Sequence, residues 1–229
     1  MKLLAGGCSL IYGSELQDER SSIGGFSRST FTALLAQQLG MEYACAARPG
    51  SGSDAIARNI VAQIDSTVSL VVVGWTYFDR FEFHFSDVGW QNIRWQPGED
   101  PGSRLPQRLR SYRHAFFGEL TETYARYCYL RDMIFLQNML ARMQVPYVFC
   151  SAAENMLDAA QYYDLGSEHQ RLYDQINTQH WFNWPQDQSF MAWSQTESLP
   201  IGPNGHPLEL AHSRSADMLY DWINQKGIV

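Results

Sequence analysis

KLLAGGCSLIYG, residues 2–13, is a short apolar run that breaks at Gly6-Gly7 and resumes with Leu10, Ile11 and Tyr12 before Gly13. An apolar run of this length bounded by glycine predicts a buried strand, Lys2 to Gly7, leading into a turn. The segments that follow decide how that strand sits in the fold. Phe31 to Leu39 (FTALLAQQL) carries apolar residues at helical spacing and is closed by Gly40. Glu42 to Ala47 fits a second strand, Asp54 to Ile64 (DAIARNIVAQI) a second helix, and Ser69 to Val73 (SLVVV) a third, continuously apolar strand. Leu130 to Met143 reads as a helix and Tyr147 to Cys150 as a strand introduced by Pro146. Residues 207–226 close the chain as a helix, with Leu210, Met218, Leu219 and Trp222 expected toward the core. Strands alternating with helices imply parallel βαβ units, packed as a three-layer α/β sandwich.

Two stretches break this alternation. Residues 81–123 are rich in aromatics, Arg, Gly and Pro, including Trp90, Trp95, Pro97, Pro101 and Pro106, and residues 162–200 carry Trp181, Trp184 and Trp193. Aromatic side chains at this density need a surface to pack on. Both stretches are therefore expected to be ordered excursions near the rim of the sheet, within one domain spanning residues 1–229.

Hydrophobic residues make up 45% of the chain and charged residues 18%, the composition of a globular protein. No apolar run approaches the ~20 residues needed to cross a bilayer. The formal net charge of −7 argues against a general polyanion binder, so no nucleic-acid partner is expected. The local basic stretch Arg104, Arg108, Arg110 and Arg113 reads as a solvated face or a handle for an anionic substrate. Cys8, Cys45, Cys128 and Cys150 lack CxxC or zinc-ligand spacing, and no HxH or HExxH occurs. Buried free thiols and no metal follow as expectations. The apolar residues before Cys8 are too few for the ~7–15-residue core of a secretory or lipoprotein signal, which predicts a cytoplasmic location without a membrane partner. Homo-oligomerisation is left open.

In a parallel sheet, ligands bind beyond the carboxyl ends of the strands. Three expected strands end in unusual sequences: GCSLIYG (7–13), ARPGSGSD (47–54) and GWTYFDR (74–80). A serine just past a strand on a tight turn exposes its hydroxyl while its own N–H faces the same space. Ser9 is thus either a nucleophile awaiting a base or a residue that merely caps the turn. Gly50 and Gly52 precede a helix, where backbone N–H groups bind a negative oxygen or simply form a left-handed turn. With Ala55 they also fit G-x-G-x-x-A, a weak dinucleotide signal here because no acidic residue ends the next strand. Thr76 has a hydroxyl to offer the same pocket, and Asp79, Arg80 and Glu82 read as an ion-pair network bracing the loop. His206, between Gly205 and Pro207 just before the last helix, belongs on an exposed turn; imidazole titrates near neutrality and serves as base and acid. His212, six residues on, reads as structural, and His84, His114, His169 and His180 have no distinguishing arrangement.

Taken in order, these segments resemble the SGNH (GDSL-like) hydrolase family. Its first block is similar to Gly7-Cys8-Ser9-Leu10 with Gly13, its second-block glycine to Gly50, its G-x-N block to Gly74-Trp75-Thr76, and its last block to Asn204-Gly205-His206-Pro207. GCSLIYG, PGSGSD and GWT resemble a phage and bacterial GCSxxYG-type branch, and no GxSxG is present to favour an α/β-hydrolase. The resemblance implies a flavodoxin-like, mainly parallel five-stranded sheet and a serine esterase working through an acyl-serine intermediate. In that picture Ser9 is the nucleophile and His206 its base. The backbone N–H groups of Ser9 and Gly50, with Thr76, bind the oxyanion, and Trp75 and Arg80 line the pocket. No cofactor is implied, and the substrate is a small-molecule or glycan ester, such as an acetylated carbohydrate. The sequence departs from the family at Cys8 (for Asp), at Thr76 (for Asn), and at Pro203 and Asn204, where an acid should precede the histidine. Asn204 can orient an imidazole but cannot stabilise imidazolium as a carboxylate does. That leaves a Ser-His dyad, an acid from elsewhere, or a weak site. The competing reading is a non-catalytic protein that binds a glycan or metabolite on a degenerate scaffold of the same kind.

Overall fold

In the computed structural model, which describes residues 1–19, 25–94 and 107–229, the chain begins with β1 (Lys2–Gly7), α1 (Ser9–Tyr12), α2 (Phe31–Gln38), β2 (Glu42–Cys45), α3 (Ser53–Gln63) and β3 (Val68–Trp75). It continues through β4 (Arg80–Phe85), β5 (Gly89–Arg94), α4 (Gln107–Glu119), α5 (Glu122–Arg142) and β6 (Tyr147–Ser151). The last elements are α6 (Ala160–Tyr163), α7 (Ser167–Tyr173), β7 (Trp181–Phe182), α8 (Phe190–Thr196) and α9 (Glu209–Lys226). Five strands form one parallel sheet in the order β2-β1-β3-β6-β7. The chain reverses its direction of growth between β1 and β3, and that crevice is where such sheets bind ligands.

Burial on both faces of the sheet explains why β3 is a continuous apolar run. Leu70, Val71, Val72 and Val73 are all 0% exposed. Leu70 and Val72 point to a core shared with Phe31 and Leu35 of α2 and Leu219 and Ile223 of α9. Val71, Val73 and Trp75 point to a second core with Ile56 and Ile60 of α3 and Met133 and Leu136 of α5. Helices thus cover both faces, giving the expected three-layer α/β/α sandwich with a flavodoxin-like parallel sheet.

Several boundaries differ from expectation. β2 ends at Cys45, β3 runs on to Trp75, and α5 starts at Glu122 because Thr121 caps it, its Oγ1 accepting the Tyr124 N–H at 3.1 Å. Leu210 is 45% exposed; the buried stripe of α9 runs through Ala211, His212, Ser215, Ala216, Leu219 and Ile223 instead. The first excursion holds an antiparallel hairpin, β4–β5, with Phe81 opposite Ile93 and His84 opposite Trp90. Phe81, Phe83, Phe116 and Phe117 pack with Ala125 and Cys128 as a small third core. Trp95, Pro97, Pro101, Arg104 and Pro106 lie outside the described residues. In the second excursion Trp181, Trp184 and Trp193 are all buried, and the Trp184 indole N–H donates to Ser215 Oγ at 2.8 Å. Cys8, Cys128 and Cys150 are buried, Cys45 is half-buried, and all four are free thiols. Among the described residues no helix is long and apolar enough to cross a membrane.

Because Leu70 lies in the centre of the sheet, Leu70→Ala is expected to lower stability by about 2–5 kcal/mol. Urea denaturation, with an unchanged slope, is the measurement.

Candidate active site

The first strand delivers Ser9 and then turns the chain back beside it. Cys8 is extended and Ser9 is the first residue of α1, a single turn that ends at Gly13 (φ 84°) with the Gly13 N–H donating to Ser9 C=O at 2.9 Å. The left-handed conformation favours glycine here, and a Cβ at Gly13 would collide with Ser27. Ser14 N–H also donates to Ser9 C=O, at 3.0 Å, and Leu16 is buried. Glu15, held between them, adopts φ 73°, a conformation uncommon for a residue with a side chain.

The last helix is preceded by an equally constrained loop. Ile201 bridges Pro207, Gly202 N–H donates to His206 C=O at 2.8 Å, and Gly205 N–H donates to Gly202 C=O at 2.9 Å. This turn presents the His206 ring to Ser9. His206 Nε2 lies 2.9 Å from Ser9 Oγ, and His206 Nδ1 lies 2.6 Å from Glu15 Oε2. Glu15 also accepts the Asn204 backbone N–H at 2.9 Å, the Asn204 side-chain amide at 3.0 Å and the His206 backbone N–H at 3.2 Å. Partial burial works to raise the Glu15 carboxyl, but these donors outweigh it and hold the group below the ordinary carboxylate value. A Cβ on Gly202 would come within 2.8 Å of the Glu15 carboxyl, so this position needs glycine for close approach.

Ser9 and His206 thus lie within hydrogen-bonding distance, and the carboxylate on the far side of the ring is that of Glu15. Asn204, expected to orient the imidazole, reaches it only through Glu15, because Glu15 already occupies Nδ1. Sequence reasoning missed Glu15. The available signal was an acidic residue directly beyond the Gly13 turn that folds the chain back past Ser9.

The second and third strand ends flank this line. Gly50 (φ 81°) sits in a turn in which Arg48 N–H donates to Gly7 C=O at 3.1 Å, and the Asn92 side-chain amide of β5 donates to Gly50 C=O. Gly52 packs so closely on the Arg80 backbone that no Cβ fits there. The hairpin thus occupies the approach that a dinucleotide pyrophosphate would require. Thr76 is completely buried, and its Oγ1 accepts Arg80 Nη1–H at 3.3 Å. Trp75, expected in the pocket, is completely buried on the opposite face against Tyr129 and Phe149, because β3 extends one residue pair further than its apolar run and its alternation turns Trp75 inward.

Within the expected network of Asp79, Arg80 and Glu82, the last two do not pair with each other. Glu82 pairs with Arg58, while Arg80 rests on Thr76 and lies 4.5 Å from the Tyr77 ring centroid. Asp54 accepts Glu82 N–H at 2.9 Å; burial, with Asp132 and Glu82 nearby, raises its carboxyl to about 6 against its backbone donors. His212 is structural, as expected: burial pushes its titration down to about 3, and its Nδ1 accepts Phe31 N–H at 3.0 Å. No group of three or more His, Cys, Asp or Glu side chains among the described residues is arranged to hold a metal ion.

The fold is similar to that of several solved esterases. The psychrotrophic esterase EstA from Pseudoalteromonas sp. aligns over 98% of this chain and 97% of its own, with 12% identity and a TM-score of 0.55. A family two carbohydrate esterase from Clostridium thermocellum, solved in complex with cellohexaose, aligns over 100% of this chain and 65% of its own, with 15% identity and a TM-score of 0.52. A carbohydrate esterase family 2 enzyme with a carbohydrate-binding domain from Corynascus thermopiles aligns over 98% of this chain and 66% of its own, at 14% identity and a TM-score of 0.51. The chain therefore spans about two thirds of the length of these two carbohydrate esterases. No protein-family model and no curated protein sequence matches the chain. At these identities the likeness establishes a shared α/β fold.

The Glu15 pairing has a defined pH signature. Its carboxyl titrates lower in the folded chain than in the unfolded one, so its stabilisation is fully present above the unfolded value and disappears as pH falls through the folded value. The parent is expected to unfold at a higher temperature than Glu15→Gln at neutral pH. As pH falls through the folded value, below the ordinary carboxylate range, the two melting temperatures should converge.

Proposed function

We propose that the protein is a serine ester hydrolase in which Ser9 is the nucleophile, His206 the general base and Glu15 the acid behind it. The observation that carries this reading is the continuous line from Ser9 Oγ to His206 Nε2 at 2.9 Å and from His206 Nδ1 to Glu15 Oε2 at 2.6 Å. A serine hydroxyl is a weak nucleophile until a base within hydrogen-bonding reach removes its proton. Glu15, ionised and fixed by Asn204, keeps Nδ1 protonated and leaves the Nε2 lone pair facing Ser9.

In this mechanism Ser9 Oγ attacks the acyl carbon while its proton passes to Nε2, and the carbonyl electron pair moves onto oxygen. The resulting imidazolium is stabilised by the Glu15 carboxylate. The oxyanion is met by the N–H of Ser9, which at the start of a helix has no intrahelical acceptor, and by the N–H of Gly50. Collapse breaks the ester bond, and imidazolium returns its proton to the departing alcohol oxygen. A water molecule then repeats the sequence on the acyl-serine with the same base, releasing the acid and restoring Ser9.

For the substrate we propose an acyl group, such as acetyl, on a carbohydrate or similar polyol. The support is the fold shared with the Clostridium and Corynascus carbohydrate esterases and with EstA.

Hydrolysis of a chromogenic acetate and of acetylated oligosaccharides tests this function. Ser9→Ala is expected to abolish turnover and labelling by a fluorophosphonate. Glu15→Gln is expected to lower kcat by about 10⁴-fold, the scale seen when a buried triad acid is neutralised. Full activity in Ser9→Ala would overturn the mechanism. No turnover and no labelling of the folded parent, with measurable glycan binding, would make it a binding protein instead.

A further inference from the structure

Resting on the ester-hydrolase reading, the family resemblance implies a side-chain oxyanion donor at the third strand end beside the N–H groups of Ser9 and Gly50. Thr76 stands there, yet it is 0% exposed and its Oγ1 already accepts Arg80 Nη1–H at 3.3 Å. A hydroxyl with no reachable surface does not touch a substrate oxygen. Arg80, by contrast, is only half-buried.

The placement of Arg80 follows from the sheet order. β2 and β3 flank β1, so the turn after β2 and the end of β3 stand on either side of Ser9. The Arg80 backbone and Cβ press on Gly52 in the first of these, while its Nη1 reaches Thr76 at the second. Arg80 thus ties together the two strand-end segments that stand on either side of β1. Its guanidinium lies 4.5 Å from the Tyr77 ring centroid, a cation–π contact. No described carboxylate pairs with it within salt-bridge distance; the charge of Glu154 is felt at longer range. A guanidinium has five N–H donors in a fixed fork, and among the described residues its one hydrogen bond is to Thr76, which leaves donors to spare.

We infer that Arg80 is the third oxyanion donor of the site and that Thr76 is the post that anchors it. As the bond from Ser9 Oγ to the acyl carbon forms, the carbonyl π pair becomes a full charge on oxygen, and a guanidinium N–H donates to it. When the tetrahedral species collapses the pair returns to the carbonyl, and Arg80 neither gains nor loses a proton. A charged donor takes the place that a neutral amide fills in the sequence pattern, which accounts for a short Thr at position 76.

Steady-state kinetics on a chromogenic acetate, with thermal unfolding of each variant, test the assignment. Arg80→Met is expected to lower kcat by about 10²–10³-fold at nearly constant KM and melting temperature, the loss typical of one oxyanion donor. Arg80→Lys should retain an intermediate rate, and Thr76→Val should lose less than Arg80→Met. Guanidinium ion added to the solution should restore part of the turnover of Arg80→Ala and none of that of Ser9→Ala. An equal or larger loss in Thr76→Val would return the donor role to that hydroxyl and overturn the assignment. A raised KM at unchanged kcat in Arg80→Met would equally overturn it. If Ser9→Ala itself keeps full activity, the ester-hydrolase reading falls and Arg80 with it; if Ser9→Ala is inactive while Arg80→Met keeps its kcat, only the Arg80 assignment falls.

Discussion

A carboxylate and an imidazole 2.6 Å apart, separated by 191 positions in the chain, set the terms for the loops around the site. For Glu15 to reach His206, the chain must turn back within two residues of α1, which Gly13 allows, and Glu15 must accept a left-handed backbone. On the other side the loop from Ile201 to Pro207 must approach the carboxylate without a side chain at Gly202 and must offer it N–H groups, which Asn204 and His206 do. Strained backbone of this kind persists only where the surroundings over-determine it. Here the determinants are buried Leu16, the Gly13 cap and several charge-assisted hydrogen bonds into one carboxylate.

The same physics decides which parts were legible in the sequence. β3 was readable because a strand covered on both faces must be apolar at every position, and SLVVV admits little else. Ser9 and His206 were readable because each sits at a glycine-marked junction between an element and a loop. Glu15 was not, since its role exists only in the tertiary fold: no spacing rule links residue 15 to residue 206. Asn204 was assigned to the histidine on sequence proximity, whereas its amide serves the carboxylate. Trp75 belongs to the end of β3 and follows its alternation onto the face of Val71 and Val73, so it packs in that core instead of lining a pocket. The hairpin had a signal that composition obscured: Phe81, Phe83 and Phe85 alternate with Glu82 and His84 at period two, inside a stretch whose prolines and glycines suggested irregular chain.

That hairpin carries more of the site than its position outside the main sheet implies. It grips the turn after β2 and the start of α3: the Asn92 side chain donates to Gly50 C=O, Arg80 packs against Gly52, and Glu82 offers its N–H to Asp54 while its carboxylate pairs with Arg58. Glycines at positions 50 and 52 thus answer to different demands, positive φ at the first and a neighbouring chain at the second. The dinucleotide-like spacing of these glycines is a by-product of holding a turn against a hairpin.

The two carboxylates that fix the site loops work in opposite senses with pH. Glu15, surrounded by donors, favours the ionised form and stabilises the fold above the carboxylate range. Asp54 is half-buried beside Asp132 and Glu82, and its carboxyl is raised to about 6, so the folded chain holds that proton more tightly than the unfolded chain does. Its contribution is fully present below the unfolded carboxylate value and declines as pH rises through about 6. Near neutrality, then, the hairpin anchor carries a half-buried negative charge at a cost, offset by the Glu82 and Ala55 N–H groups whose hydrogen bonds it accepts. Above pH 6 the acid behind His206 is held firmly, while the clamp on the turn that carries Gly50 is under electrostatic load.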